Sequence, residues 1–312
     1  MLRRNLEAVA RAIREADGAY EILVVDNGPT PISRAGLDRA ASGCRLRCFR
    51  SRPGCKTRAL NRGIRESDSR WLIFTDDDTV PRAGWIRAAE EYADREMCRV
   101  FGGQVVPGPG PESVPRWYKP SRSGAPPWTE SVFVRYAPRS ESGLLSDEDP
   151  VPFGSNIFVR RDVFVEYGGY DDFLWDACGK AALGVEDGEF GVRLKGRGEP
   201  IGYCAEAIVE HPVHRARFNF RDQCRLHYYY GFRDPFVFFR RDRSALEGYR
   251  VKSLTLHVAL AVLRAMTLDI GEGSDHLFRA ARDVGAIHGR LSKGYRRWLR
   301  LASQATRQRE QA

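Results

Sequence analysis

Through the first hundred residues, short apolar runs that stop at turn-forming residues alternate with segments whose apolar positions repeat at helical spacing. Glu21–Val25 (EILVV) runs into Asp26, Asn27 and Gly28; Arg45–Phe49 is a weaker run of the same kind, and Trp71–Phe74 and Phe101–Val106 follow. Between them, Thr57–Glu66 carries Leu60 and Ile64 at helical spacing, and Ala83–Tyr92 follows Pro81, a residue suited to a helix start. Such alternation builds a mostly parallel sheet, because parallel neighbours need a crossover and a helix is the usual one. The predicted fold class is therefore α/β, Rossmann-like, with helices on both faces of the sheet.

The rest of the chain changes character twice. From Pro107 to Pro152, Pro, Gly, Ser and Trp accumulate without periodicity, which predicts a long loop or insertion over a site. Regular structure resumes with a strand at Ser155–Val159, a helix near Asp187–Lys195 and a strand at Ile201–Val209. After Phe218 the pattern is helical up to a polar tail from about Gln304. The predicted organisation is one domain over residues 1–215, with halves at about 1–106 and 107–215, followed by a helical extension over 216–312.

The 312 residues suffice for a large core, and 42% hydrophobic with 29% charged residues describes a folded, globular chain. The net charge of +9 is carried mostly by arginine and favours anionic partners. Zinc-finger spacing, an RNA-binding signature and a basic helix backed by heptads are all missing, so nucleic acid is not an expected partner. Phosphorylated small molecules and anionic lipid headgroups are. The seven cysteines are odd in number and scattered, which predicts reduced thiols in a cytoplasmic chain. No run reaches the roughly 18 apolar residues of a membrane span. The longest, Leu254–Met266, is interrupted by His257 and Arg264. Near the C-terminus, Arg290, Lys293, Arg296, Arg297 and Arg300 interleave with Tyr295, Trp298 and Leu299, a pattern suited to peripheral contact with an anionic inner membrane face.

The strongest chemical signal is WLIFTDDDTVP, where three aspartates follow an apolar strand. In open α/β sheets ligands bind beyond the carboxyl ends of strands, and three carboxylates there repel one another without a cation. Asp76 and Asp78 lie two apart and can face one direction as hard oxygen ligands for Mg²⁺ or Mn²⁺ shared with a phosphate. Asp26 ends an earlier strand in the same way and suits a hydrogen bond from a base or ribose. Glu186 and Asp187 open a helix behind the glycine-containing segment Gly179–Val185, where a general base can be positioned. His211 and His214 follow the last strand. Each of these features also has a structural explanation, as a turn, cap or surface group.

Taken in order, VVDNG, GCKTRALNRGI, FTDDDTVP, GGQVVP, PFGSNIFVRRDVFVEYGGYDDFL, GVEDGEFGVRL and VEHPVH resemble the family 2 glycosyltransferases of the GT-A fold over about Glu21 to His214. The resemblance implies an inverting transfer of sugar from a nucleotide-diphosphate donor to an acceptor hydroxyl on a glycan, a lipid-linked carrier or a small molecule. It implies a nucleotide-sugar half at 1–106 and an acceptor half at 107–215. Asp26, Asn27, Lys56, Arg58, Asn61, Asp76 and Asp77 would meet the donor, and Gly154, Ser155, Asn156 and Trp175 the sugar and acceptor. Asp78, with Asp76 and His211, would hold Mn²⁺ or Mg²⁺, and Asp187, beside Glu186, would be the base. One departure stands out: relatives begin with a central strand before the first helix, whereas this chain opens at MLRRNLEAVARAI, which already resembles that helix. The expectation is a start assigned too late, with an incomplete donor site as the alternative. Two rival readings are a haloacid-dehalogenase-type phosphohydrolase, from DxDxV at Asp76–Val80, and a non-catalytic nucleotide-sugar binder.

Overall fold

The computed structural model describes residues 1–95, 97–110, 115–118, 134–178, 184–238, 245–266 and 270–297. The chain divides into two compact units: Met1–Pro109 with Val134–Asp172 and Glu186–Pro212, and Gly110–Phe133 with Phe173–Val185 and Val213–Ala312.

In the first unit the order is α1 (Leu2–Arg14), β1 (Glu21–Asp26), α2 (Arg34–Ala40), β2 (Arg45–Arg50), α3 (Lys56–Glu66), β3 (Trp71–Thr75), β4 (Val80–Pro81), α4 (Trp85–Ala93) and β5 (Val100–Pro107). Then come β6 (Gly143–Leu144), β7 (Asn156–Arg160), α5 (Arg161–Tyr167), α6 (Asp172–Cys178), most of which belongs to the second unit, α7 (Glu186–Lys195) and β8 (Ile201–His211). The expected strands and helices are present, with boundaries moved by a residue or two. The main sheet runs β3-β7-β5-β8-β4, with β6 beside β8.

The sheet is mixed. β5 pairs with β8 in parallel, but β7 lies antiparallel between β3 and β5, and β4 and β6 are antiparallel to β8. The parallel character read from alternation thus holds for β5 with β8, and for β1 with β2, which α2 connects. β7 follows the long excursion from Pro107 instead, and a connection of that length constrains strand direction little. β1 and β2 form a separate parallel pair. Among the described residues β1 pairs only with β2 and β3 only with β7, so the break in the sheet falls between β1 and β3.

Both sheet faces are covered, and alternation along each strand decides which residue goes where. On one face Phe101, Phe158 and Tyr203 meet Trp85, Ile86, Ala89 and Tyr92 of α4 and Ala12 of α1. Phe101 and Phe158 stack with centroids 4.6 Å apart. On the other, Leu72, Val100, Ile157, Val159 and Ile201 meet Leu60 and Ile64 of α3, Val163 and Phe164 of α5, and Phe190 and Leu194 of α7. Burying each such side chain contributes about 1.5–3 kcal/mol.

The second unit holds three long helices, α8 (Phe220–Phe238), α9 (Ala245–Met266) and α10 (Ile270–Leu291). α8 and α10 approach through glycine: a Cβ built on Gly285 would come within 1.9 Å of the Tyr228 carbonyl oxygen, and one on Gly289 within 2.1 Å of that of Phe232. Asp234 and Arg282 add a two-pronged ion pair at 2.9 and 3.1 Å across the same contact. No helix among the described residues is long and apolar enough to cross a membrane. Trp298, Leu299 and Arg300 of the basic run, the tail from Gln304, and residues 179–183 lie outside the described residues.

Candidate active site

The three aspartates occupy the turn between β3 and β4, and the turn is tied from several sides. The Thr79 hydroxyl donates to the Asp76 carbonyl at 2.9 Å, and the Thr75 and Thr79 hydroxyls are 2.6 Å apart. The Asn5 side-chain amide, buried on α1, donates to the carbonyls of Asp76 and Thr79, each at 3.0 Å. This leaves Asp77 exposed and Asp76 and Asp78 half-buried. Pairing of Val80 with Glu210 brings the end of β8 alongside, and with it His211. Ligand atoms of Asp76, Asp78 and His211 all lie within 4.8 Å of one another, with His211 Nε2 3.7 Å from Asp78 Oδ1. His211 Nδ1 sits 3.1 Å from the Pro212 carbonyl. Donation there puts the proton on Nδ1 and leaves the Nε2 lone pair for a metal, the arrangement by which a backbone carbonyl orients a histidine ligand. Two carboxylates and an imidazole fit a divalent cation, and the carboxylates suit Mg²⁺ or Mn²⁺.

Next to this cluster, Lys56 at the start of α3 places Nζ 2.7 Å from Asp76 Oδ1 and 3.0 Å from Glu186 Oε1. Burial alone would lower the Lys56 pKa, but Asp76, Glu186 and Asp187 outweigh it and hold it well above the ordinary lysine value. Burial likewise works against an ionised Asp76, and Lys56 and His211 overcome it, so its pKa falls. Asp77 goes the other way: partial loss of solvent around its carboxylate and the charges of Asp78 and Asp76 raise its pKa. Glu186 opens α7 and is 2% exposed. Asp187 follows it, with Oδ2 accepting from the Gly154 N–H at 2.9 Å and Oδ1 from the Gly188 N–H at 2.8 Å. Beside it, the hydroxyls of Ser155 and Tyr170 are buried without a hydrogen-bond partner. Such orphans are uncommon in folded proteins and suit a place that a ligand or water completes. The first unit thus brings together Asp76, Asp78, His211, Lys56, Glu186, Asp187, Gly154 and Ser155.

The other candidates are tied into the surrounding structure. Asp26 is buried, with Oδ1 accepting from the Gly28 N–H at 2.9 Å and Oδ2 from the Ile32 N–H and Arg50 at 3.0 and 2.6 Å. Those donors outweigh burial and lower its pKa, so it pins the turn after β1. The Asn27 carbonyl accepts from the Gly54 N–H at 2.8 Å. Asn61 holds the segment before α6, donating to the Tyr170 carbonyl and Asp172 and accepting from the Tyr170 N–H. Asn156 is fully buried: Nδ2 donates to the carbonyls of Gln104 and Ala207, and Oδ1 accepts from the Trp85 indole. It lies at the register shift between β5 and β8 at Gly103 and Gln104. Arg58 is half-buried on α3. Trp175 belongs to the second unit, packed against Leu174, Val185 and Phe236, and His214 lies there too.

Sequence reasoning missed Asn5, Thr79 and Tyr170. The one available signal was Asn5, a weak helix former at a position beside Leu6 that the helix turns inward.

A profile of glycosyl transferase family 2 matches residues 1–168, more than half of the chain. The chain belongs to glycosyl transferase family 2. The mannosyltransferase PcManGT of Pyrobaculum calidifontis, solved with GDP-Man and Mn²⁺, is 14% identical over 98% of this chain and 76% of its own, with a TM-score of 0.51. GalNAc-T7, solved with UDP, GalNAc and Mn²⁺, is 16% identical at a TM-score of 0.48, and TarS of S. aureus 13% at 0.45. These two alignments cover 72% and 83% of this chain but only 47% and 40% of those proteins, so the chain spans less than half of either. No curated protein matches it in sequence.

Proposed function

We propose that this chain transfers a sugar from a nucleotide-diphosphate donor to an acceptor hydroxyl with inversion, using Asp187 as base and a divalent cation held by Asp76, Asp78 and His211. The observation that carries this reading is the convergence of those three ligand groups beside a carboxylate whose two oxygens are each oriented by a backbone N–H. The donor and Mn²⁺ bound to PcManGT support it.

The Gly154 and Gly188 N–H groups hold the Asp187 carboxylate in place, one on each oxygen. As the acceptor oxygen bonds to the anomeric carbon, Asp187 takes its proton, and the bond to the donor phosphate breaks on the opposite side. When bound, the cation neutralises the departing diphosphate. Lys56 lies between Asp76 and Glu186, within 2.7 and 3.0 Å of their carboxylates, which preserves the cluster's shape before ligands arrive. Ser155 and Tyr170 supply hydroxyls for the sugar or acceptor. Family membership sets aside the phosphohydrolase.

The test is nucleotide release from a panel of nucleotide sugars with acceptor, with and without Mn²⁺. Release should vanish in EDTA and in Asp78→Asn. Full turnover in EDTA overturns the metal reading, and donor binding without release under any acceptor favours the non-catalytic binder.

A further inference from the structure

The longest apolar stretch of the sequence is part of α9, and its placement there leaves several of its large apolar side chains on the outer face of the helix. Its inner side mixes polar and apolar groups: Ala261 is buried and Leu254 and Leu260 half-buried, while the Ser253 hydroxyl donates to Asp283 of α10 at 2.8 Å and the His257 and His276 rings meet at 3.0 Å. Outward it presents Lys252, Thr255, Leu256, Val258, Ala259, Val262 and Leu263, all exposed. At 100° per residue these seven fall in an arc of roughly 160° along three turns. Leu256, Val262 and Leu263 are 55%, 58% and 54% exposed. Among its described residues this face carries no carboxylate. An outward face of this composition, contiguous over three turns, needs a partner.

Charge identifies the partner. Residues 213–312 hold 20 Lys and Arg against 9 Asp and Glu, so they contain the whole positive excess of a chain with 50 against 41. Exposed Lys293, Arg296 and Arg297 follow α10, and Lys252 lies on the apolar face itself. A second copy would bring the same excess to the contact, and like charges would oppose it. Anionic headgroups relieve that charge while the acyl boundary accepts the leucines and valines.

We propose that α9 lays its Leu256–Leu263 face into an anionic lipid surface, with the helix axis in the membrane plane. The helix rests on the bilayer and does not cross it, since it lacks the apolar length for a span. The proposal is independent of the transfer chemistry, because every residue it uses lies in the second unit.

The experiment floats the full chain with vesicles of phosphatidylcholine alone or with a third phosphatidylglycerol. The chain should float with the anionic vesicles and lose binding in high salt. Replacing Leu256, Val262 and Leu263 together by Gln should weaken binding about tenfold or more, because three apolar side chains no longer leave water. All three are exposed, so thermal unfolding should be unchanged. In Val262→Trp, the new indole should shift its emission to the blue when anionic vesicles are added. Equal flotation of the Gln variant overturns the proposal, as does an unshifted Val262→Trp spectrum. A dimer that the Gln variant converts to monomer, without vesicle binding by either form, assigns the face to self-association and also overturns it.

Discussion

Asp187 and Asn156 were read from the same stretch of motifs, yet they sit in opposite environments. Asp187 is half-buried and held by two backbone N–H groups, whereas Asn156, fully buried, spends its amide and carbonyl on Trp85, Gln104 and Ala207. Asp187→Asn should therefore reduce turnover by about 10²–10⁴, the usual range for a general base, with donor affinity nearly unchanged. Steady-state rates with saturating donor, beside a direct binding measurement, check this; a near-normal rate moves the base elsewhere, with Glu186 first to be examined. Asn156→Ala should behave differently. It leaves the Trp85 N–H and two carbonyls unsatisfied in the core, at about 1–3 kcal/mol for each group that finds no water. The expected readout is a clear fall in melting temperature with an unchanged KM for acceptor in the protein that remains folded. The opposite split would return Asn156 to the sugar pocket.

At the level of elements, close approaches of backbone decide more than propensity does. Glycine in a helix interior costs about 1 kcal/mol relative to alanine, so Gly285→Ala should help an isolated α10. In the folded unit the new Cβ would meet the Tyr228 carbonyl oxygen at 1.9 Å, and backbone there cannot yield without parting α8 from α10. Overpacking of this kind costs about 1–3 kcal/mol, so the clash wins and the variant should unfold at a lower temperature or denaturant concentration. A stabilised Gly285→Ala would show that the two helices are not so closely seated. The same logic applies to Gly103, where a Cβ would fall 2.2 Å from the Ala207 carbonyl oxygen and 2.3 Å from Asn156 Nδ2. Three elements position the acidic turn: α1 through Asn5, β8 through its pairing with β4, and α3 through Lys56.

For the whole molecule, ligand binding should appear as stability. A nucleotide sugar that binds only the folded chain raises its stability by about 2.7 kcal/mol at a hundred times its dissociation constant, and this gain should require Mn²⁺ or Mg²⁺. Thermal unfolding with donor, with and without EDTA, measures it, and Asp78→Asn should abolish the metal-dependent part. A shift untouched by EDTA would mean that the donor binds without the cation. The sequence by itself determined the α/β alternation, the acidic end of β3, the glutamate and aspartate opening α7, the helical C-terminal region and the family. All of these are local: periodicity reports which side of an element is buried, and a motif reports chemistry within a few residues. Tertiary structure alone decided that β7 runs antiparallel and that β1 and β2 stand apart from the main sheet. It also brought Asn5 to a turn 71 residues away, paired His211 with Asp78, and turned Asn156 inward. Those outcomes depend on strand register and packing between residues far apart in the chain, where one step of register exchanges the faces of every side chain. No local pattern records that choice.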